Sequence, residues 1–355
     1  MTQLFIPGPV DVAPEVLSAQ ARPMLPYDSQ EFNAILNRCE DRLKILFNTS
    51  RRVFLIPAGI VDLQEAALNN FGSGKILICT QGPESERWLE IALLLGKTAD
   101  QLFFDYGKAI DIERLQSRLV SEQYGTVCFA QADLVTGVEN PIQPIVEAIR
   151  SVSPETLILV DATATIAAVP LNVDEWGMDF IFGASHFGLA LPPGLTLAVA
   201  SPRAMETARR LKPQTWRLNF LRLERALAHT EPQTYLPQSL VFALDLQLER
   251  ILIEGLDARY RRHEVLATHL QEWGGDHQIP LFAPVGYRSR VSTTFLNQSG
   301  IPIENLNTFL IQRGMLIANG FGRLKDKTFR IGAMGEIKPA DLKRLLNTID
   351  EYLQK

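Results

Sequence analysis

Short apolar runs alternate with longer amphipathic ones through the first two thirds of the chain. The runs Val53–Ile56, Ile76–Cys79, Gln101–Phe104, Thr126–Ala130, Thr156–Val160, Phe180–Phe182 and Leu195–Val199 read as strands. Several are apolar without alternation, the pattern of strands covered on both faces. Between them, helical spacing predicts helices over Val61–Phe71, Glu84–Leu95, Ile112–Ser121, Ile142–Ser151 and Pro202–Leu211, preceded by one over Ser29–Leu46. Strands alternating with helices predict an α/β domain built on a mostly parallel sheet. From Gln238 to Trp273 the helical period runs on, as a long connecting helix. Beyond it, Ser292–Leu296, Met315–Ala318 and Phe329–Ile331 read as strands, with helices over Ile303–Gln312 and Pro339–Leu353. Pro339 and Asp341 suit the first turn of that last helix. The expected organisation is an N-terminal arm (1–20), a large α/β domain (21–250) and a small C-terminal α+β domain (251–355).

Composition narrows the picture. With 355 residues, 46% of them hydrophobic, the chain can fill one large and one smaller core. A net charge of −5 gives no electrostatic footprint for nucleic acid or an anionic membrane. The densest basic cluster, Arg259, Arg261, Arg262 and His263, falls on a predicted helix and reads as a solvated face. Cys39, Cys79 and Cys128 are far apart and odd in number, which predicts buried free thiols. Neither Cys-x-x-Cys nor His-x-x-x-His spacing occurs, which argues against zinc. The N-terminus lacks the pattern of a signal peptide, and no apolar stretch has the length of a bilayer span. The expectation is a soluble, cytoplasmic protein with no membrane insertion.

Seven short motifs, in order, carry a more specific signal. They are Pro7-Gly8-Pro9-Val10, Ser29-x-Glu31-Phe32, Glu65-Ala66-Ala67-x-x-Asn70, Gln81-Gly82-x-x-x-x-Arg87-Trp88, Thr136-Gly137-Val138-x-Asn140-Pro141, Leu191-Pro192-Pro193-Gly194-Leu195 and Arg330-Ile331-Gly332-x-Met334-Gly335. With them the chain resembles the class V (fold type I) aminotransferases that use pyridoxal phosphate (PLP), in particular the alanine–glyoxylate and serine–pyruvate group. The resemblance implies the PLP-transferase fold type I and a homodimer with its cleft at the subunit interface.

Position by position, the resemblance also implies losses. The family's Ser-Gln-Lys before Leu-Pro-Pro-Gly-Leu becomes Ser185-His186-Phe187, so a phenyl ring stands where a lysine forms the Schiff base. The phosphate-binding Ser-Gly-Thr becomes Gly59-Ile60-Val61, with Asp62 beside it. A carboxylate there repels phosphate, although an acid in a first helical turn is ordinary stabilisation. Glu84 takes the place of the aromatic that covers the cofactor ring, which a carboxylate cannot do by stacking. Tyr235 matches a partner-subunit threonine that contacts the phosphate. In Asp133-Leu134-Val135-Thr136-Gly137 two hydroxyls near the ring are gone and Thr136 remains.

Three candidate groups are retained or new. Asp161 matches the aspartate facing the pyridine nitrogen, with capping of the following turn as the simpler role. Arg330 matches the arginine that grips a substrate carboxylate as a bidentate fork; an ion pair with Asp133 or Glu84 is the alternative. His186 has the chemistry of a general base, as in a dehydratase type on this fold that replaces the lysine with histidine. It falls one residue early, which favours a structural or pocket-lining role. Lys212, Lys325 and Lys327 lack the strand-end context of the missing lysine. Because lysine, stacking aromatic and phosphate hydroxyls serve one cofactor, their joint loss predicts an aminotransferase-like dimer without transaminase activity. Such a protein binds a small anionic metabolite through Arg330, or a protein partner, and no cofactor is assigned to it. The alternative is a lysine-independent enzyme that holds PLP or pyridoxamine phosphate noncovalently and acts on an amino or keto acid, with His186 as base.

Overall fold

The computed structural model describes residues 2–229 and 236–354. Its larger sheet has seven strands in the spatial order Val53–Ile56, Thr196–Ala200, Phe180–Ala184, Leu157–Asp161, Thr126–Ala130, Ile76–Thr80 and Ala99–Phe103. Only Thr196–Ala200 runs antiparallel to its neighbours. Five of the seven strands, all but Val53–Ile56 and Ala99–Phe103, are buried at every position, which is why their sequences are apolar without alternation.

Helices cover both faces. Gln30–Phe47, Ile112–Ser121, Ile142–Val152 and Gln238–Glu254 pack on one, sharing a core with Leu77, Val127, Ile158 and Ile181. Ile60–Phe71, Pro83–Leu94 and Pro202–Leu211 pack on the other, against Ile78, Leu159 and Phe180. The expected strands and helices of this region appear within two residues of their predicted ends.

A smaller, four-stranded sheet has the order Gln3–Phe5, Met315–Asn319, Thr328–Gly332 and Ser292–Leu296. Helices Leu256–Asp276, Ile303–Ile311 and Pro339–Leu353 complete its core. The start of the chain is tied into this sheet, because Gln3–Phe5 pairs parallel to Met315–Ile317.

Two expectations are corrected. The long helical stretch is two helices, Gln238–Glu254 and Leu256–Asp276, separated by Gly255 at φ +84°. That φ is in the region glycine tolerates and other residues avoid. The basic cluster is also not a solvated face: Arg261 is exposed, but Arg259 and His263 are buried and Arg262 nearly so. Arg259 donates to Ala167 O (2.9 Å), Gly188 O (2.7 Å) and Glu254 Oε2 (2.8 Å). A guanidinium whose fork of donors is filled by carbonyls and a carboxylate can be buried. Among the described residues no helix is long and apolar enough to cross a membrane.

Candidate functional site

The carboxyl ends of the central strands form one edge of the larger sheet, where ligand crevices of open α/β sheets lie. Asp161 pairs with Ala130 on one side and Phe182 on the other, so the turns after residues 130, 161 and 184 emerge together. The smaller sheet brings Arg330 to this edge, its Nη1 donating to Leu134 O (3.3 Å) and its Nε to Asn319 O (3.0 Å).

One wall is polar. Both Asp161 oxygens are engaged: Oδ1 accepts from Thr163 N (3.0 Å) and Oδ2 from Gln64 Nε2 (3.1 Å). Asp161 therefore does cap its turn, and it also meets a buried amide that sequence reading passed over. Gln64 precedes Glu65-Ala66-Ala67 and is fully buried on the inner face of its helix. A polar residue next to Leu63 on a helix face that also carries Ala67, Leu68 and Phe71 was the available signal. Asp133 Oδ1 accepts from Thr136 Oγ1 (3.0 Å), Thr136 N (2.8 Å) and Val135 N (3.0 Å), so the retained Thr136 hydroxyl serves a turn. The Asp133 carboxylate lies so close to Gly82 that a Cβ there would overlap it.

Glu84 Oε2 accepts from Leu134 N at 3.0 Å. Burial, then the neighbouring Asp133, push the Glu84 carboxyl up to about 8, against the pull of the Leu134 N–H and of Arg87. Burial also raises Asp161 and Asp133, with their hydrogen bonds opposing. Burial lowers Arg330, while the charges of Glu84 and Asp133 hold it protonated. Among the described residues, however, no carboxylate approaches Arg330 within ion-pair distance. Its bonds to protein go to the carbonyls of Asn319 and Leu134.

The other wall is apolar. Phe187 is 7% exposed and belongs to a cluster with Val10, Ala132, Leu134, Ala164, Ala168, Ala184, Ala190, Val291 and Met334, joined by the partly buried Ile60. Its ring lies so close to Gly8 that a side chain there would overlap it. Beside it, the His186 ring lies tilted at 4.3 Å between centroids, its Nδ1 buried with no hydrogen-bond partner among the described residues. Burial lowers the His186 pKa, and no carboxylate offsets this. Ser185 closes its own loop, donating from Oγ to Pro192 O at 2.7 Å.

At the start of Ile60–Phe71, Gly59 is the N-cap and supplies no side-chain acceptor. Its N–H is taken by Asp62 Oδ2 at 2.8 Å, and Val61 is 46% exposed. Of the residues singled out from the sequence, the structure puts Glu84, Thr136, Asp161 and Arg330 on one wall and Ile60 and Phe187 on the other, with Gly59 and Val61 at the helix start. Tyr235 lies outside the described residues.

These residues do not fit a phosphate-bearing cofactor linked to a lysine. Phe187 offers only carbon, the helix start has an acid on its first N–H, and both oxygens of Asp161 are committed to protein donors.

Known proteins give the context. The aminotransferase class-V family profile matches residues 18–322. Serine–glyoxylate aminotransferase of Arabidopsis thaliana is 29% identical over 368 residues, covering 99% of this chain and 90% of its own. The small subunit of a soluble hydrogenase of Synechococcus sp. is 28% identical over 357 residues, covering 99% and 92%. The crystal structure of ureidoglycine–glyoxylate aminotransferase from Bacillus subtilis superposes with a TM-score of 0.93 at 25% identity, covering 100% of this chain and 93% of its own. The expected fold is therefore the observed one: α/β, PLP-transferase fold type I, with a mostly parallel larger sheet and a smaller C-terminal one. The chain belongs to the class V aminotransferase family.

Proposed function

We propose that this family member does not run lysine-linked transamination and instead binds a small carboxylate at Arg330, as a homodimer. The observation that supports this most directly is Phe187: its ring is packed into an apolar cluster and against Gly8, so no amine and no space for one remain at that position. Arg330 supports the carboxylate half, because its guanidinium is anchored on backbone carbonyls and has no carboxylate partner among the described residues. Mixing the purified protein with PLP is expected to give no Schiff-base absorbance band. A band that disappears in Asp161→Ala overturns the reading, since it cannot come from surface lysines. Small carboxylates are expected to raise the melting temperature of the wild type and not of Arg330→Ala. Sedimentation at micromolar concentration is expected to give a dimer, and a monomer there removes that part of the proposal.

A second reading has its own support in His186, whose buried Nδ1 is unpartnered and whose ring burial keeps neutral, the form a base requires. It is the lysine-independent enzyme with PLP or pyridoxamine phosphate held noncovalently. Steady turnover of an amino or keto acid, abolished by His186→Ala, would favour it over the first.

A further inference from the structure

Away from the crevice, charge is spread unevenly along the chain. Residues 202–229 form the helices Pro202–Leu211 and Phe220–His229 with the loop between them. Of the 35 Lys and Arg in the chain seven fall there, but of the 40 Asp and Glu only two, so the remainder has an acidic excess. Elsewhere arginines find carboxylates: Arg38 and Arg42 share Asp245, Arg150 meets Asp179 and Arg262 meets Glu254. In this segment one cation takes both acids, because Arg209 pairs with Glu206 (3.3 Å) and Glu224 (3.2 Å). Arg210, Lys212, Arg217, Arg222 and Arg225 are left with no carboxylate partner among the described residues. Arg210 reaches the Thr207 hydroxyl (3.1 Å), Arg225 the Leu221 carbonyl (3.2 Å) and Arg217 the Pro57 carbonyl, none of which cancels a charge. Composition does not explain this, since acids outnumber bases in the chain; the fold keeps them away from this face.

A second observation falls on the same loop. Trp216 is 74% exposed, and the guanidinium carbon of Arg222 stands 3.3 Å from its ring centroid. A single exposed apolar side chain is ordinary. An indole held by a guanidinium is a different object, because the stacking orients the ring before any partner arrives and leaves most of it in water. Trp and Arg are also the side chains that most often carry the binding energy of protein interfaces.

We propose that this face docks an acidic segment of another protein, with an apolar side chain of that segment on Trp216 and its carboxylates on the five unpaired cations. The proposal is independent of the crevice and of what binds there. Charge complementarity selects the partner: carboxylates supply what the face lacks, and a short segment stays within it. A nucleic acid strand suits it less. Such a strand carries its phosphates past the patch onto a surface with an acidic excess, and repulsion within about 8 Å is little screened at physiological salt.

The test is fluorescence anisotropy of a labelled peptide, a run of glutamates around one leucine, titrated with the full-length protein at low salt. The same peptide with glutamine in place of glutamate is expected to bind at least tenfold more weakly, a comparison that needs no variant. Trp216→Ala, and separately Arg210→Glu combined with Arg225→Glu, are expected to weaken the glutamate peptide tenfold or more. Arg225→Lys keeps the charge and should bind within twofold of the wild type. No binding of the glutamate peptide, or equal binding of the glutamine one, overturns the proposal. Tighter binding of a single-stranded oligonucleotide of equal charge also overturns it, because the face is then a general polyanion site. If Trp216→Ala turns a wild-type dimer into monomers in sedimentation at micromolar concentration, a second copy covers the face and the proposal fails.

Discussion

On one side of the crevice the Phe187 ring is enclosed by Val10, Ala164, Ala168, Val291 and Met334 and lies against Gly8. On the other, Glu84, Asp133 and Asp161 are drawn together, and Gln64 and Gln81 keep amide atoms that nothing among the described residues answers. Around Phe187 the apolar wall is filled by dispersion contacts that need no ligand, with the His186 Nδ1 beside it as its one buried polar atom without a partner among the described residues. The polar wall is incomplete, and such groups persist where something outside the chain satisfies them. Phe187 is therefore part of an apolar surface joining the N-terminal segment, the larger sheet and the smaller one. The amide atoms left open to a ligand lie on the opposite wall.

Truncating the completed wall gives the largest expected effect. Phe187→Ala removes a buried ring and should cost about 3–5 kcal/mol in urea denaturation. Phe187→Lys should also destabilise, because it places an ammonium among carbon atoms, and should gain no stable PLP adduct. An adduct from that one change would show that the helix start and the Glu84 wall still accept the cofactor. Gly8→Ala is the next largest. It combines a clash with the Phe187 ring and a residue at φ +146°, for a cost of roughly 1–3 kcal/mol. In the Phe187→Ala background the clash is gone, so the two changes should fail to add by at least about 0.5 kcal/mol. Strict additivity would mean the ring and Gly8 are not coupled.

The polar wall responds with the opposite sign. A carboxyl whose folded pKa is raised takes up a proton on folding, so its contribution falls as pH rises from its ordinary 4.5 to about 8 for Glu84. Asp133 and Asp161 are raised too and act in the same direction. Glu84→Gln keeps an acceptor for Leu134 N and removes the charge. It should match the wild type near pH 4.5 and exceed it increasingly toward pH 8, by on the order of a few kcal/mol there, measured by denaturation at both. A gain that is the same at both pH values would separate Glu84 from the strain attributed to it.

The two walls also differ in how much the sequence reveals of them. The strands behind both are readable because five central strands are apolar throughout, and Phe187 is readable by counting back from Leu191-Pro192-Pro193-Gly194-Leu195. The break at Gly255 is hidden by a helical period that continues on both sides of it. Arg259 is misread because nothing in a run of basic residues shows that Ala167 O and Gly188 O, distant along the chain, will receive its donors. On the polar wall, Glu84 and Arg330 are visible as residue types. Their connection passes through the backbone of Leu134, which leaves no mark in side-chain identity.

The smallest expected effect is at the helix start, where a hydroxyl alone should change almost nothing. Val61 is exposed, so Val61→Thr should alter stability by no more than about 0.5 kcal/mol. It also adds one of the hydroxyls that the sequence resemblance implies are missing. Yet the Gly59 N–H remains occupied by Asp62 Oδ2, and that carboxylate keeps a negative charge at the end of the helix where an anion would be favoured. Inorganic phosphate should therefore leave the melting temperature of Val61→Thr unchanged. If phosphate instead raises it in this variant and not in the wild type, the acid is not what closes the helix start. The contrast between the walls would then stop short of Gly59.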